Sequence, residues 1–258
     1  MNTKDKPIGI FDSGLGGLTV VKEIIRILPH EDLVYLGDTA RVPYGTRSNN
    51  AIIKFSLEDA NFLLKKKVKC IVVACNTASS VAGETLKKKL KVPVFEVISA
   101  ALENAKTVSK SGRIGVIGTR ATITSGAYKV PYSVACPLLV PFIEEGEIAS
   151  PALKLVAKKY LSAFKSKKID TLILGCTHYP IIGGMIRQIM GKKVKLINPE
   201  KSVAFELKEY LTGNQLLNSK KVKGVRKYFV TDLTRRFTKT AEMFLGHKIE
   251  VLVSKTNL

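Results

Sequence analysis

Residues 8–28 have the sequence IGIFDSGLGGLTVVKEIIRIL, which predicts a strand, a glycine-rich turn and a helix in immediate succession. The apolar run at 8–11 is typical of a buried strand. From Leu18 to Leu28 the apolar residues recur every three or four positions, which is the spacing of one helix face. A buried strand that passes directly into an amphipathic helix predicts a parallel α/β sheet.

The same alternation continues along the chain. The sequence predicts strands at 33–37 and 70–74, a helix at 49–66 and a further helix that ends near residue 90. Strands that alternate with helices in this way form a parallel sheet with helices on both faces.

The pattern restarts near residue 113. A strand at 113–119, a helix at 149–165 and a strand at 171–175 form a second unit of similar layout. Each unit carries a cysteine directly after an inner strand, Cys75 in the first and Cys176 in the second. We therefore predict two pseudo-symmetric α/β domains with mainly parallel sheets and an active site between them.

The last part of the chain contains three further predicted elements. These are a strand at 227–231, a helix at 234–245 and a short strand near 249–253.

The composition is that of an ordinary globular protein. The chain has 258 residues, of which 45% are hydrophobic and 24% are charged, so it can form a core without a disulfide or metal. The four cysteines show no metal-ligand spacing, and we expect neither a metal site nor a disulfide framework. We also expect no signal peptide, no membrane-spanning segment and a location in the reducing cytoplasm.

The net charge of +21 is unusual. Such a field attracts anions, including acidic metabolites and nucleic acid. The basic residues are mostly lysines in runs such as 65–69 and 87–91, tryptophan is absent, and aromatic residues make up only 7%. Specific nucleic-acid readers use arginine and stacking aromatics, so we interpret these runs as solvated helix faces and expect no specific nucleic-acid partner.

Four polar segments follow predicted strands, where parallel α/β sheets bind their ligands. They span residues 12–17, 37–45, 75–80 and 176–180. Asp12 could cap a helix or face a ligand, and the second segment could be a plain loop or could offer Tyr44 and the backbone around Gly45 to a ligand.

Cys75 and Cys176 are the candidate reactive groups. A helix that starts at a cysteine lowers the pKa of its thiol from about 8.5. Two thiols on opposite sides of one ligand could remove a proton from one face of a carbon and return one to the other face. Cys70 lies within a strand and Cys136 lies in an apolar stretch, so we interpret both as packing residues.

Six motifs show a resemblance to a known family. They are IGIFDSGLGGLTV, YLGDTARVPYGTRS, VVACNTASS, IGVIGTRAT, ACPLLVPFIEEG and GCTHYP. Through these motifs the chain resembles the glutamate racemases of bacterial cell-wall synthesis, within the wider aspartate/glutamate racemase family.

The resemblance implies cofactor-independent racemisation of L-glutamate to D-glutamate for peptidoglycan synthesis, by a homodimer. It implies that Cys75 and Cys176 transfer the protons, that Asp12 assists Cys75 and that His178 assists Cys176, with Glu144 near the site. The residues implied to hold the substrate are Asp12, Ser13, Tyr44, Gly45, Asn76, Thr77, Thr177 and His178. The implied domains are 1–98 plus 210–258 and, between them, 99–209.

Three other functions remain open on the sequence. The chain could racemise a related acid such as aspartate, because discrimination by side-chain length depends on pocket shape. It could be a basic nucleic-acid-binding or protein-regulating module. It could also be a thiol-redox enzyme in which Cys75 and Cys176 form a reversible disulfide.

Overall fold

The computed structural model of the chain describes residues 2–233, 237–246 and 253–255. The elements of the first part are β1 (Ile8–Asp12), α1 (Leu18–Ile27), β2 (Leu33–Gly37), α2 (Asn49–Lys65), β3 (Cys70–Val73), α3 (Asn76–Lys89), β4 (Val94–Glu96) and α4 (Val97–Val108). They are followed by β5 (Ile114–Gly118), α5 (Arg120–Thr124), β6 (Tyr132–Ala135), α6 (Leu139–Glu144), α7 (Pro151–Leu161), β7 (Thr171–Gly175), α8 (Gly183–Met190), β8 (Lys195–Ile197), α9 (Pro199–Gly213), β9 (Arg226–Val230), α10 (Phe237–Leu245) and β10 (Val253–Lys255).

The described strands form two sheets in which every pairing is parallel. The first sheet has the order β10-β9-β2-β1-β3-β4 and the second has the order β6-β5-β7-β8. The run β2-β1-β3-β4 of the first sheet and the whole second sheet share one connectivity, with β5 in the place of β1. This repetition confirms the predicted class of two α/β domains with parallel sheets.

The inner strands are apolar because both faces of each sheet are covered. All five residues of β1, β2, β5 and β7 are buried, as expected where helices pack on both sides of a parallel sheet. In the first sheet Ile10 of β1 lies opposite Tyr35 of β2 and Val72 of β3. Because the strands are parallel, their carboxyl ends and the polar segments that follow them lie at the same edge of each sheet.

Polar side chains at the helix starts explain where several helices begin. The Ser48 hydroxyl accepts a hydrogen bond from the Ala51 amide at the start of α2, and the Ser150 hydroxyl accepts one from Leu153 at the start of α7. The Glu96 carboxylate accepts from the amides of Ile98 and Ser99 at the start of α4. Each of these side chains accepts hydrogen bonds from backbone amides of the first helical turn, which have no partner inside the helix.

One apolar cluster spans the two sheets. It joins Ile8 and Val72 of the first sheet to Leu172 and Leu174 of the second. Helices α4 and α9, which connect the two halves, pack against each other. The domain boundaries predicted at 98/99 and 209/210 fall within these two helices, and they stay a prediction.

Several predicted elements differ in detail from the structure. The helix predicted at 149–165 is shorter, because α7 ends at Leu161 and a 3-10 helix, Ser162–Lys167, follows it. The predicted helix at 234–245 begins outside the described residues, and α10 is described from Phe237. The predicted strand near 249–253 lies outside them except for Val253, the first residue of β10.

The interpretation of both lysine runs as solvated is wrong at one position. Lys65, Lys66 and Lys67 are exposed, whereas Lys69 is buried. The Lys69 ammonium pairs with the buried Glu31 carboxylate at 2.5 Å and donates to the carbonyls of Lys4 and Leu216. A buried ammonium requires such partners because burial removes its hydration.

Candidate active site

One cavity lies at the carboxyl ends of both sheets. It has a volume of about 210 Å³. Its wall includes ten of the eleven residues that were predicted for the site, namely Ser13, Tyr44, Gly45, Cys75, Asn76, Thr77, Glu144, Cys176, Thr177 and His178. Asp12 is buried behind this wall and does not line the cavity.

The glycine-rich turn after β1 allows an unusually close approach of the backbone to the site. A Cβ atom on Gly16 would lie 2.3 Å from the Thr177 hydroxyl and 2.7 Å from the His178 ring. A Cβ atom on Gly17 would lie 2.5 Å from the Cβ of Asp12. Both distances are too short for any side chain, so the turn requires glycine there.

Asp12 occupies the end of β1, beneath this turn. Its Oδ2 accepts a hydrogen bond from the Gly14 amide at 3.0 Å, while its buried Oδ1 has no partner among the described residues. Burial raises the pKa of Asp12 above its usual range, against the opposing effect of the nearby His178. Asp12 is therefore placed to act through a neighbouring group.

The hydroxyl of Tyr44 contacts two buried carboxyl groups behind the cavity wall. It lies 2.5 Å from Asp38 Oδ2 and 2.9 Å from Asp59 Oδ2, and both carboxyl groups are completely buried. Tyr44 thus offers its ring and backbone to the cavity. The adjacent Gly45 faces the second half of the molecule, where a Cβ atom would lie 2.9 Å from the Cβ of Thr119.

Cys75 lies between β3 and α3 and caps the helix. Its Sγ accepts a hydrogen bond from the Ala78 amide at 3.4 Å and lies 3.4 Å from the Ser13 hydroxyl. Burial and, secondly, the Asp12 carboxylate raise the pKa of Cys75 to about 12. The Ala78 amide at the helix start does lower this pKa, as expected, but the expected net lowering is wrong for Cys75, because desolvation outweighs the helix contribution.

Cys176 has a different environment in the second half. Its Sγ lies 3.7 Å from Nδ1 of His178, whose Nε2 lies 2.9 Å from the Glu144 carboxylate. Burial lowers the pKa of His178, but its contacts with Cys176 and Glu144 outweigh burial and raise the pKa to about 10. An imidazolium beside a cysteine stabilises a thiolate. The 3-10 helix that follows Cys176, Tyr179–Ile182, does not begin until three residues later.

Hydroxyl and amide groups connect the two halves across the cavity. The Thr77 hydroxyl lies 2.9 Å from that of Thr119, which lies 3.0 Å from that of Thr122. The Asn76 side-chain carbonyl accepts from the Tyr128 hydroxyl at 2.5 Å. This leaves the amide NH₂ of Asn76 as a donor for a ligand.

The sequence analysis missed several residues of the cavity wall. Thr119 and Arg120 follow β5 directly, so they fall under the same rule that selected the other strand ends. The other missed residues are Val42, Pro43, Thr46, Pro137, Val140 and Pro141. Val42 and Pro43 belong to the loop predicted at 37–45 and Thr46 directly follows it, whereas the last three carry no polar signal.

Cys70 and Cys136 do not line the cavity. Both are buried, and burial raises the pKa of each thiol to about 12. Within the described ranges no group of three or more His, Cys, Asp or Glu side chains could hold a metal ion. No helix in that part of the chain is long and apolar enough to cross a membrane.

The fold and the site together define a class of α/β protein. In this class two parallel sheets place their carboxyl ends around one ligand cavity. Residues 8–204 match the sequence model of the Asp/Glu/Hydantoin racemase family, and the chain belongs to that family.

Known proteins resemble the chain over almost its whole length. A curated glutamate racemase of Geobacter metallireducens is 46% identical over 254 residues, which cover 95% of this chain and 94% of the relative. The crystal structure of glutamate racemase from Francisella tularensis in complex with D-glutamate has a TM-score of 0.91 and 42% identity, with 98% of each chain covered. Glutamate racemase from Thermus thermophilus in complex with β-chloro-D-alanine has a TM-score of 0.91 and 43% identity, covering 99% of this chain and 98% of the other.

Proposed function

We propose that the chain catalyses the cofactor-independent racemisation of L-glutamate to D-glutamate by a two-cysteine acid/base mechanism, and that the product serves peptidoglycan synthesis. Relatives of 43–46% identity carry the name glutamate racemase. The Francisella tularensis relative was crystallised with D-glutamate. These relatives support glutamate as the substrate over aspartate.

The observation that carries the proposal is the position of the two thiols. Cys75 and Cys176 follow equivalent strands, β3 and β7, in separate sheets, yet both line the same cavity. Inversion of a carbon requires a base on one face and an acid on the other, and thiols approaching from two sheets provide that arrangement. Cys70 and Cys136 are not on the cavity wall.

The environments of the two thiols differ. At neutral pH the raised pKa keeps Cys75 as a thiol, whereas the sulfur of Cys176 lies 3.7 Å from Nδ1 of His178. We propose that the cycle from L-glutamate starts with a Cys75 thiol and a Cys176 thiolate. The Cys176 thiolate would remove the α-proton of L-glutamate, and the Cys75 thiol would give its proton to the opposite face. The protein is then left with a Cys75 thiolate and a Cys176 thiol, which is the state that accepts D-glutamate.

The assisting residues follow from the same contacts. Glu144 holds the His178 imidazolium through its Nε2, so that Nδ1 faces the Cys176 sulfur. Asp12 lies close enough to Cys75 for its charge to raise the pKa of that thiol, although Asp12 itself does not line the cavity. We propose that it assists proton transfer through Cys75.

The remaining polar groups are suited to an amino-acid dicarboxylate. Ser13, Asn76, Thr77 and Thr177 provide hydroxyl and amide donors around the cavity, and Arg120 provides a cation at its edge. Such donors can bind carboxylates and stabilise the charge that develops when the α-proton leaves. The predicted homodimer and the cytoplasmic location stay predictions.

Circular dichroism of the purified protein with L-glutamate tests this proposal directly. The optical signal should decay to zero as the enantiomers equalise, and it should do so from D-glutamate as well. Parallel reactions with L- and D-aspartate should be much slower. No decay with either glutamate enantiomer, or a faster decay with aspartate, would show that the proposed substrate is wrong.

A further inference from the structure

A polar cluster with three buried members, Asp38, Tyr44 and Asp59, and two half-buried ones, Arg41 and Glu58, lies directly behind the cavity wall. It comprises Asp38, Arg41, Tyr44, Glu58 and Asp59, and it is called the Tyr44 cluster below. Arg41 donates from Nε to Asp38 at 2.5 Å and from Nη2 to Asp59 at 3.2 Å, and it also contacts Glu58. Tyr44 is the member that reaches the cavity. The cluster joins the loop after β2 to the inner face of α2.

Counting hydrogen atoms constrains the charges in this cluster. The Tyr44 hydroxyl has one proton but lies within hydrogen-bonding distance of carboxyl oxygens of both Asp38 and Asp59. If the carboxyl groups of Asp38 and Asp59 were both ionised, one of the two contacts with Tyr44 would bring two oxygen lone pairs together without a proton between them. A proton on one carboxyl group supplies the missing donor.

The contacts of Asp38 identify it as the ionised member. Its Oδ2 receives the Arg41 Nε–H and the Tyr44 hydroxyl, and its Oδ1 receives the Thr231 hydroxyl at 2.9 Å. The Thr231 oxygen accepts from the Ala40 amide, so its proton is free to go to Asp38. Three donors aimed at one carboxyl group favour the carboxylate.

Asp59 has the opposite environment. Its side chain is fully buried, and among the residues that the structure describes its Oδ1 receives only the longer Arg41 contact and its Oδ2 meets only Tyr44. The charged and titratable groups that face it are Asp38, Arg41, Tyr44 and Glu58, of which only Arg41 is cationic. One guanidinium facing three acidic side chains leaves excess negative charge, which a neutral Asp59 reduces.

We propose that Asp59 is a positioning residue that is held as a neutral carboxylic acid and donates its proton to Tyr44, which in turn donates to the Asp38 carboxylate. The direction in which burial and Asp38 move the pKa of Asp59, well above its ordinary value, agrees with this assignment. The resulting chain of donors holds the loop that contributes Val42, Pro43, Tyr44, Gly45 and Thr46 to the cavity. Its effect on substrate binding rests on the proposed function, whereas the protonation state does not.

Two variants of Asp59 distinguish a neutral donor from a charged partner. Asp59→Leu removes the donor at similar size, and loosening of the loop should raise the KM for glutamate about tenfold with a smaller change in kcat. Asp59→Asn keeps a neutral donor towards Tyr44 and should restore the KM to within about threefold of the wild-type value. The matched control is Asp38→Asn, which replaces a carboxylate that accepts hydrogen bonds from three donors. It should raise the KM for glutamate at least as much as Asp59→Leu does.

Infrared difference spectroscopy tests the protonation state without any substrate. The wild-type spectrum minus that of Asp59→Asn should contain the carbonyl band of a protonated carboxyl group at neutral pH. Absence of that band, or an Asp59→Asn variant as impaired as Asp59→Leu, would overturn the proposal. If the wild-type protein does not racemise glutamate, the proposed function fails, and the infrared band still decides the state of Asp59.

Discussion

Nε2 of His178 lies 2.9 Å from a carboxylate oxygen of Glu144, although 34 residues separate them in the chain. The opposite ring nitrogen lies 3.7 Å from the sulfur of Cys176. A carboxylate, an imidazole and a thiol thus form a chain of contacts along the cavity wall. The neighbours of Cys75 in the described part of the chain are instead the Ser13 hydroxyl, the Ala78 amide and the buried Asp12 side chain. The two thiols occupy equivalent positions in the fold but different electrostatic environments.

Replacement of either cavity thiol should nearly abolish racemisation in both directions. Cys75→Ala and Cys176→Ala each remove the base for one enantiomer and the acid for the other, so we expect a loss of about a thousandfold or more. Serine is a far weaker acid than a thiol, and Cys→Ser should be almost as damaging. The measurement is the decay of the circular dichroism signal from each enantiomer.

The other two cysteines provide matched controls for this experiment. Cys70→Ala and Cys136→Ala should lower the free energy of unfolding but leave racemisation intact, because neither thiol lines the cavity. Each single cavity mutant should also eliminate the β-substituent of only one enantiomer of an analogue, with opposite preference in the two mutants. Near-normal racemisation by Cys75→Ala would contradict the two-thiol mechanism.

Alkylation should distinguish the two thiols at neutral pH. The Cys75 pKa of about 12 keeps it protonated, whereas the sulfur of Cys176 lies 3.7 Å from Nδ1 of His178, the base that the proposed mechanism places beside it. Iodoacetamide should therefore modify Cys176 first, and peptide mass spectrometry can locate the adduct. Both thiols are 5% exposed, so a difference in rate would not reflect access. Faster modification of Cys75 would show that the assigned states are reversed.

His178 should titrate far above an ordinary histidine. Its pKa of about 10 in the folded protein exceeds the usual 6.5, so its stabilising contribution is complete below about pH 6.5 and is lost as pH rises through about 10. Nuclear magnetic resonance of the imidazole should show a charged ring at pH 7.5. In Glu144→Gln the titration should move downwards, because the carboxylate that favours the imidazolium is gone. A midpoint near pH 6.5 for the titration of His178 in the wild-type protein would contradict its pairing with Glu144.

Activity should not depend on a metal ion or on pyridoxal phosphate. Two thiols suffice as base and acid, and the described residues contain no cluster of metal-ligating side chains. The purified protein should lack absorbance in the pyridoxal region and should keep its activity in EDTA. Loss of activity on dialysis against chelator, with recovery on addition of one metal, would contradict the cofactor-independent mechanism.

Gly16→Ala should damage the site through sterics alone. The added Cβ would lie 2.3 Å from the Thr177 hydroxyl and 2.7 Å from the His178 ring, so one of these groups must move. We expect a loss of about 1–3 kcal/mol in the free energy of unfolding and a lower kcat. Gly184→Ala within α8 is the control, because nothing lies within 4 Å of its Cβ position. It should be neutral or slightly stabilising, since alanine favours the helix.

Local sequence predicted much of this protein. Apolar strands such as 171–175 and amphipathic helices have short-range periodicities, and the restart of the pattern near residue 113 indicated the second sheet. Because parallel strands place their carboxyl ends on one edge, the segments after β1, β2, β3 and β7 could be assigned to a common site before any contact was known. The same rule would have added Thr119 and Arg120 after β5.

Only the tertiary structure decided the pairings and the charges. Asp59 meets Tyr44, Glu31 meets Lys69 and Glu144 meets His178 through packing of elements distant in sequence, and no local pattern marks these partners. The pKa of Cys75 is another property that the local sequence does not determine. The sequence places it at a helix start, which lowers a thiol pKa, but burial in the assembled fold and, secondly, the Asp12 carboxylate raise it to about 12. Desolvation depends on every atom that surrounds a group, so it follows from the assembled fold and not from the residues next to it in the chain.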